Sequence, residues 1–393
     1  MNSPQRMMTP KQIYGYAAAI IEPHVKWHDH GPKCTSSALL HILFYAAAHL
    51  CSIAAACSRL RDTPSDQAVR DALVALCPEA EGLERQLNAS FAAQLPKSVK
   101  RQACRLAIDL NLRPYHGKPH RDGKELYRSR AKSGTTHFHA YATCYIVKNK
   151  RRYTVALTRV EHGESLVAVL KRLLRRASQA GIRTDLLLLD RGFYSVDVIR
   201  YLQAARKPFI MPAVKQGRQA DHRHGPSGTR VFALRKRSGW DTYTLTNKAK
   251  RTATVSIAIH CRNWRGQRQR RGRQTLVYVF WGIAPKSTHW VYQTYRLRFG
   301  IETSYRQVNE ACIKTTTRNP TLRLLFIGIA LLLRNLWVWI HWGCLATSRR
   351  GGRKLNLGTL RFKTLVMWLA RLAEQVFGVA DCITVEQLPP PFS

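Results

Sequence analysis

Residues 184–195, TDLLLLDRGFYS, constrain the fold more than any other stretch of this chain. Four consecutive leucines with no polar partner form the continuous apolar run of a short strand buried on both faces. Such a strand needs a helical layer on each side, so its surroundings are read as an α/β domain. The flanks supply the layers. Upstream, Leu166, Val169, Leu170, Leu173 and Ala177 mark one face of a helix, and Lys171, Arg172, Arg175 and Arg176 fill the remainder. Gly181 is placed to stop it. Downstream, Ser195 is placed to cap a helix over 196–205, and FIMPAV follows as a short strand.

Three more strands precede this unit. CRLAIDLNL is a buried run, and HFHAYATCYIV alternates Phe138, Ala140, Ala142, Cys144 and Ile146 against polar neighbours. RRYTVALTRV returns after a Lys-Asn-Lys turn. The resulting order, β-β-β-α-β-α-β, is the pattern of a ribonuclease H-like core, whose first part spans 101–212. DTYTLT, TATVSIAI and QTLVYVFW, separated by turns such as NWRGQRQRRGRQ, predict a β-rich insertion over 213–286. Helices resume near Thr288, so 287–345 completes the core and 346–393 forms a basic helical tail. A length of 393 residues accommodates two or three domains.

Residues 1–100 read as a separate helical domain. Within it, SIAAACSRLRDTPSDQAVRDALVAL holds two helical segments around a turn, with Ser65 placed to cap the second and Arg70 on its exposed side. A DNA-binding helix-turn-helix and an ordinary helical hairpin both satisfy that pattern. The apolar runs 38–56 and 324–342 are long enough to span a bilayer. They carry His41 and His49 in one and Arg334 and His341 in the other, which favours buried core helices over a membrane reading.

Charge narrows the partner. The chain has 64 Lys and Arg against 23 Asp and Glu, a net charge of +41, which points to a polyanion and first to nucleic acid. MNSPQRMMTPKQ lacks the apolar core of a signal peptide, so a cytoplasmic, nucleoid-associated protein is expected. The ten cysteines include no CxxC pair and read as reduced thiols. His24, His28, His30 and Cys34 lack a matching second half and make a weak zinc set.

Few carboxylates are available for chemistry, and three stand out. Asp190 follows the four leucines, where a buried strand opens into a loop before Arg191. Asp109 lies between Ile108 and Leu110, where an unpaired charge would cost several kcal/mol and calls for a metal or cation. The third lies in WVYQTYRLRFGIETSYRQVNEACIK. Wound as one helix, this segment lines up Tyr295, Arg298, Glu302, Arg306 and Asn309 as a polar stripe. A solvated Arg298–Glu302–Arg306 ladder and a glutamate ligand flanked by phosphate-binding arginines both fit that stripe. His116 follows Asp109 closely enough to meet substrate, and Trp264, in the Arg-rich turn, is a candidate to stack on an unpaired base.

DLNLRPYHG, LLLLDRGFY and YRLRFGIETSYR together resemble the three signatures of DDE transposases of prokaryotic insertion sequences, in the group with a Tyr-x2-Arg-x3-Glu-x6-Lys helix. The resemblance covers about residues 104–342. Tyr295, Arg298 and Glu302 match the helix motif, while Asp109 and Asp190 match the two strand aspartates. Asn309 stands where the family has lysine, and Arg306 is the candidate substitute. The resemblance implies a ribonuclease H-like fold, DNA cleavage and strand transfer at element ends. It also implies two Mg²⁺ ions, replaceable by Mn²⁺, with Asp109 bridging both and Asp190 and Glu302 on one each. Tyr295, Arg298, Arg306, Asn309, Arg191, His116 and Trp264 are then DNA contacts, and a homodimer bridges two ends. A structure-selective nuclease and a non-catalytic DNA-binding remnant are the competing readings.

Overall fold

The computed structural model describes residues 7–77, 79–147, 152–265, 271–350 and 352–382. Two units emerge: Met1–Ser90 together with Arg306–Ser393, and Phe91–Tyr305. The first unit begins with helices α1 (Pro10–Val25), α2 (Ser36–His49), α3 (Ile53–Arg59) and α4 (Asp66–Leu76), and with most of α5 (Ala80–Ala93). Their starts follow from local chemistry. Thr9 and Gln12 exchange hydrogen bonds in a capping box before α1, and Ser65 Oγ accepts the Ala68 amide at 3.2 Å before α4. Arg70 is exposed and pairs with Asp66 one turn earlier at 2.8 Å.

After the single turn α6 (Lys97–Lys100), the second unit is built on one nine-stranded mixed sheet. Its strands are β1 (Cys104–Pro114), β2 (Tyr127–Lys132), β3 (Thr135–Ile146), β4 (Thr154–Val160), β5 (Thr184–Leu189), β6 (Phe209–Pro212), β7 (Gly239–Thr246), β8 (Thr252–Arg265) and β9 (Arg271–Trp281). The spatial order is β2-β3-β1-β5-β6-β9-β8-β7, with β4 also beside β3. β1, β5 and β6 run parallel, and the other pairings are antiparallel. α7 (Leu166–Gln179) packs on β3 and β4, and α8 (Val196–Ala204) carries the crossover from β5 to β6. The leucine run behaves as its composition dictates: Leu187, Leu188 and Leu189 are fully buried.

The sheet departs from the sequence reading in two places. β2 has no counterpart in that reading, because YRSRAK is mostly charged and polar and pairs at the sheet edge, where apolar alternation is not needed. The strands expected as a separate β-rich insertion continue the main sheet, because β9 pairs antiparallel with β6 through Phe209↔Trp281 to Pro212↔Tyr278. A single turn, α9 (Arg230–Ala233), precedes them.

The segment expected as one long helix is broken. α10 (Thr288–Arg296) gives way to a 3₁₀ turn over Leu297–Phe299, and α11 (Gly300–Asn309) follows. A Cβ at Gly300 would meet the Arg152 guanidinium, the far end of a flexible side chain, so the arginine and not the backbone would have to give way. The chain then returns to the first unit through α12 (Pro320–Ile340) and α13 (Phe362–Phe377). Asn319 caps α12 by accepting the Thr321 amide at 2.8 Å. Gly328 lets α12 approach α5 closely, since a Cβ there would stand 2.6 Å from Leu87 Cδ1. Pro320–Leu345 is long and apolar enough to cross a membrane, but 94% of its apolar window is buried within the protein. The basic stretch after it forms a two-stranded hairpin, β10 (Thr347–Arg349) and β11 (Gly352–Lys354), where the sequence reading has helical tail. Residues 383–393, with the Pro-rich end, lie outside the described residues.

Candidate active site

Strand register brings the two expected aspartates together. β1 and β5 are parallel neighbours with Ile108 opposite Leu189, so Asp109 and Asp190 follow side by side. Asp109 sits mid-strand, 9% exposed, opposite Thr143 of β3. Asp190 directly follows β5, and its side chain is 38% exposed.

Arg298 joins them. Its Nη2 lies 2.8 Å from Asp109 Oδ1 and 3.0 Å from Asp190 Oδ1, and the residue is 6% exposed. Tyr295 positions this arginine: its hydroxyl donates to the Leu189 carbonyl at 3.3 Å, tying α10 to β5, and its ring stands 6.0 Å from the guanidinium. The Leu110 amide donates to Asp109 Oδ1 at 3.0 Å. Burial pushes the Asp109 carboxyl up to about 6, and the neighbouring Asp190 charge adds to the rise; Arg298 and the Leu110 amide act in the opposite direction. Burial works against the charge on Arg298, but Tyr295, Asp109 and Asp190 outweigh it and raise its pKa.

Glu302 stands apart from this pair. The 3₁₀ turn advances about 120° per residue where an α-helix advances about 100°, so the stripe expected from one continuous helix loses its phase after Arg296. Arg298 turns inward to the aspartates, whereas Glu302 is exposed and has no ion-pair partner among the described residues. The Arg298–Glu302–Arg306 ladder is therefore not formed. Nor, among the described residues, do three His, Cys, Asp or Glu side chains stand close enough to hold a metal ion; the expected three-carboxylate cluster and the zinc set of His24, His28, His30 and Cys34 are not assembled.

The remaining sequence candidates have separate places. Arg191 is exposed in the turn directly after Asp190, and His116 is exposed in the loop after β1, 3.7 Å from where a Cβ on Gly134 would stand. Arg306 and Asn309 are exposed on α11. Trp264 pairs with Gly272 in the β8–β9 ladder, and its side chain lies outside the described residues. The sequence reading overlooks Arg262 and Arg296, which crowd around Tyr292 of α10. Two basic residues beside a tyrosine in an Arg-rich chain give no signal until β8 and α10 are seen to be neighbours. A cavity of about 350 Å³ lies elsewhere in the sheet, lined by Trp240, Thr242, Ser256 and Phe280 among others.

Together these features define a mixed α/β protein with two aspartates converging on one cation at the meeting of two parallel strands. Among solved structures, the chain is similar to piggyBac transposase as seen by cryo-electron microscopy in a synaptic complex with hairpin DNA. The TM-score is 0.55 at 11% identity, over 95% of this chain and 81% of that one. At that identity the likeness is one of fold. No protein-family model matches the chain, and no curated protein matches its sequence.

Proposed function

We propose that the protein is a DNA transposase with a ribonuclease H-like catalytic core, cutting the ends of its own insertion sequence and joining them to target DNA. The observation that carries this reading is the convergence of Asp109 and Asp190 on Arg298. In a chain of +41 with few acids, two carboxylates gathered at one point are a chemical site, and the basic surface supplies the affinity for DNA. The likeness in fold to piggyBac transposase supports the same reading.

Two carboxylates that already share one positive charge have the hard-oxygen chemistry that Mg²⁺ or Mn²⁺ takes. Asp109 and Asp190 would hold the metal, and we assign Glu302, one helical turn past Arg298, as the third acid. Held by these residues, such a metal would supply activation of a water or 3′-hydroxyl and stabilisation of the leaving oxygen. The protein's own groups do the rest. Tyr295 fixes the helix that presents Arg298, and Arg298 neutralises the aspartates until a phosphate competes for its planar fork. Arg191, His116, Arg306, Asn309 and Trp264 are assigned to DNA, with Arg306 taking the role left open by Asn309. Two copies bridge two ends, and the protein resides in the cytoplasm with the nucleoid.

One observation favours a second reading, a DNA-binding remnant without catalysis: Glu302 is exposed and apart from the aspartates. Incubation with linear DNA carrying the element's ends and Mg²⁺, followed by sequencing of products, separates the readings. Joined products support the transposase, cut but unjoined ends indicate a nuclease, and binding without cutting leaves the remnant.

A further inference from the structure

Arg262 and Arg296 come from distant parts of the chain and meet at Tyr292, and Arg191 directly follows Asp190. Arg262 is on β8 and Arg296 on the last turn of α10, and their guanidinium carbons stand 5.3 and 5.4 Å from the ring centroid of Tyr292. Arg262 is held in place: it donates to the Tyr292 hydroxyl, and its Nε and Nη2 donate to Gln274 Oε1 at 3.0 and 2.7 Å. His260 stacks on the same tyrosine at 4.7 Å, and His289 lies 5.3 Å from His260. The hydroxyl of Tyr278 is pushed up by burial and by Tyr292 and drawn down by Arg262, Arg296 and Arg191. Tyr278 in turn lies 5.1 Å from Tyr295, the residue that ties α10 to β5.

None of the three arginines has an ion pair among the described residues. Elsewhere the chain spends its acids on single arginines, as in Arg172–Glu164 and Arg235–Asp241. Like charges gathered around aromatic rings without a carboxylate repel one another, and an anion relieves that repulsion. Each guanidinium also offers a planar fork that matches two phosphate oxygens.

We propose that Arg191, Arg262 and Arg296 form a phosphate clamp that holds the DNA backbone next to the paired aspartates, with Tyr292 and Tyr278 as its rigid base. This rests on the transposase reading only in taking DNA as the partner. Arg262, on β8, lies outside the three motifs that carry the family resemblance, whereas Arg191 and Arg296 lie within two of them.

The test is fluorescence anisotropy of the full-length protein with a labelled duplex of about 30 bp, from about 50 to about 300 mM KCl. Arg296→Gln, Arg262→Gln and the double variant are compared with Arg175→Gln, an exposed arginine of α7 on the layer that packs against β3 and β4. Each clamp variant is expected to weaken binding by on the order of tenfold and to lower the slope of log affinity against log salt by about 0.9, with the double variant losing about twice that. Arg175→Gln is expected to stay within about twofold of the wild type, in line with a long-range charge effect alone. Arg262 also braces Gln274, so Arg262→Lys and the melting temperature check folding; Arg296 is exposed and its change leaves those hydrogen bonds intact. A flat salt dependence in the wild-type protein would sink the DNA reading itself. A steep wild-type slope that both clamp variants share with Arg175→Gln overturns the clamp and leaves the DNA reading in place.

Discussion

The substitution Asp109→Asn tests the electrostatics of the site directly. The ordinary carboxyl pKa is 3.8, and in the folded protein burial first, then the charge of Asp190, brings Asp109 to about 6. The folded state therefore keeps a proton that the unfolded chain releases between about pH 4 and pH 6. Stability from this group is full below about pH 4 and is lost as pH rises through about 6. A rise from 3.8 to about 6 corresponds to about 3 kcal/mol. The replacement amide would occupy the same space and accept from Arg298 without titrating. The difference in unfolding free energy, variant minus wild type, is expected to climb by about 3 kcal/mol between about pH 4 and about pH 7 and then level off. Urea unfolding of both proteins in EDTA across that range measures it, with the same optical probe at every pH. A difference that stays constant over that range would falsify the account, because it would place the Asp109 carboxyl at its unfolded value.

Arg298→Met removes the cation between two aspartates and is expected to cost about 3–5 kcal/mol at about pH 7.5, shrinking as acid protonates Asp109; urea unfolding at about pH 7.5 and about pH 5 reads both. The same variant is expected to regain stability on addition of Mn²⁺, which a thermal melt detects, and no gain would remove the aspartates as a metal-holding pair. Asp190→Ala and Glu302→Ala are each expected to abolish cleavage of end DNA while leaving duplex affinity within about twofold, as measured by gel assay and anisotropy. Gly328→Ala sets a methyl against Leu87 and should destabilise by about 1–3 kcal/mol; Leu87→Ala in the same chain recovers part of the loss if that contact is the cause.

Local pattern carries the parts of the fold that depend on local rules. The four leucines, the amphipathic helix after Ser165 and the Ser195 cap are all legible, because each follows from burial or capping within a few residues. What is not legible depends on partners far away. α2 and α13 pack together, Lys363 donates to the Ala48 carbonyl, and the Arg61 amide donates to the Gly378 carbonyl, none of which any periodicity announces. The edge strand β2 is polar because it has no second partner to satisfy. The break at Leu297–Phe299 stays hidden because one glycine inside a helical pattern is compatible with a continuous helix. Its effect on the sequence reading is specific. Asp109 and Asp190 stand out as acids in apolar surroundings, but the stripe assigns Arg298 to the face of Glu302 when the turn gives it to the aspartates.

Two buried acids, Glu125 and Asp109, are held by different kinds of partner. Glu125 and Asp109 are equally buried, each 9% exposed. Glu125 Oε2 accepts backbone amides from His120 and Arg121 at 2.7 and 3.2 Å, donors fixed by the course of the loop, so its role is to hold that loop together. Asp109 takes one amide from its own strand and relies for charge compensation on a side chain from another element. A guanidinium can leave by rotating about its own bonds, whereas a backbone donor leaves only if the loop unfolds. Asp190, still 38% exposed, keeps one side of the pair accessible while Arg298 is in place. The chain has thus placed one of its few acids in a buried position whose charge is offset by a side chain from another element, an arrangement that structural burial alone would not require.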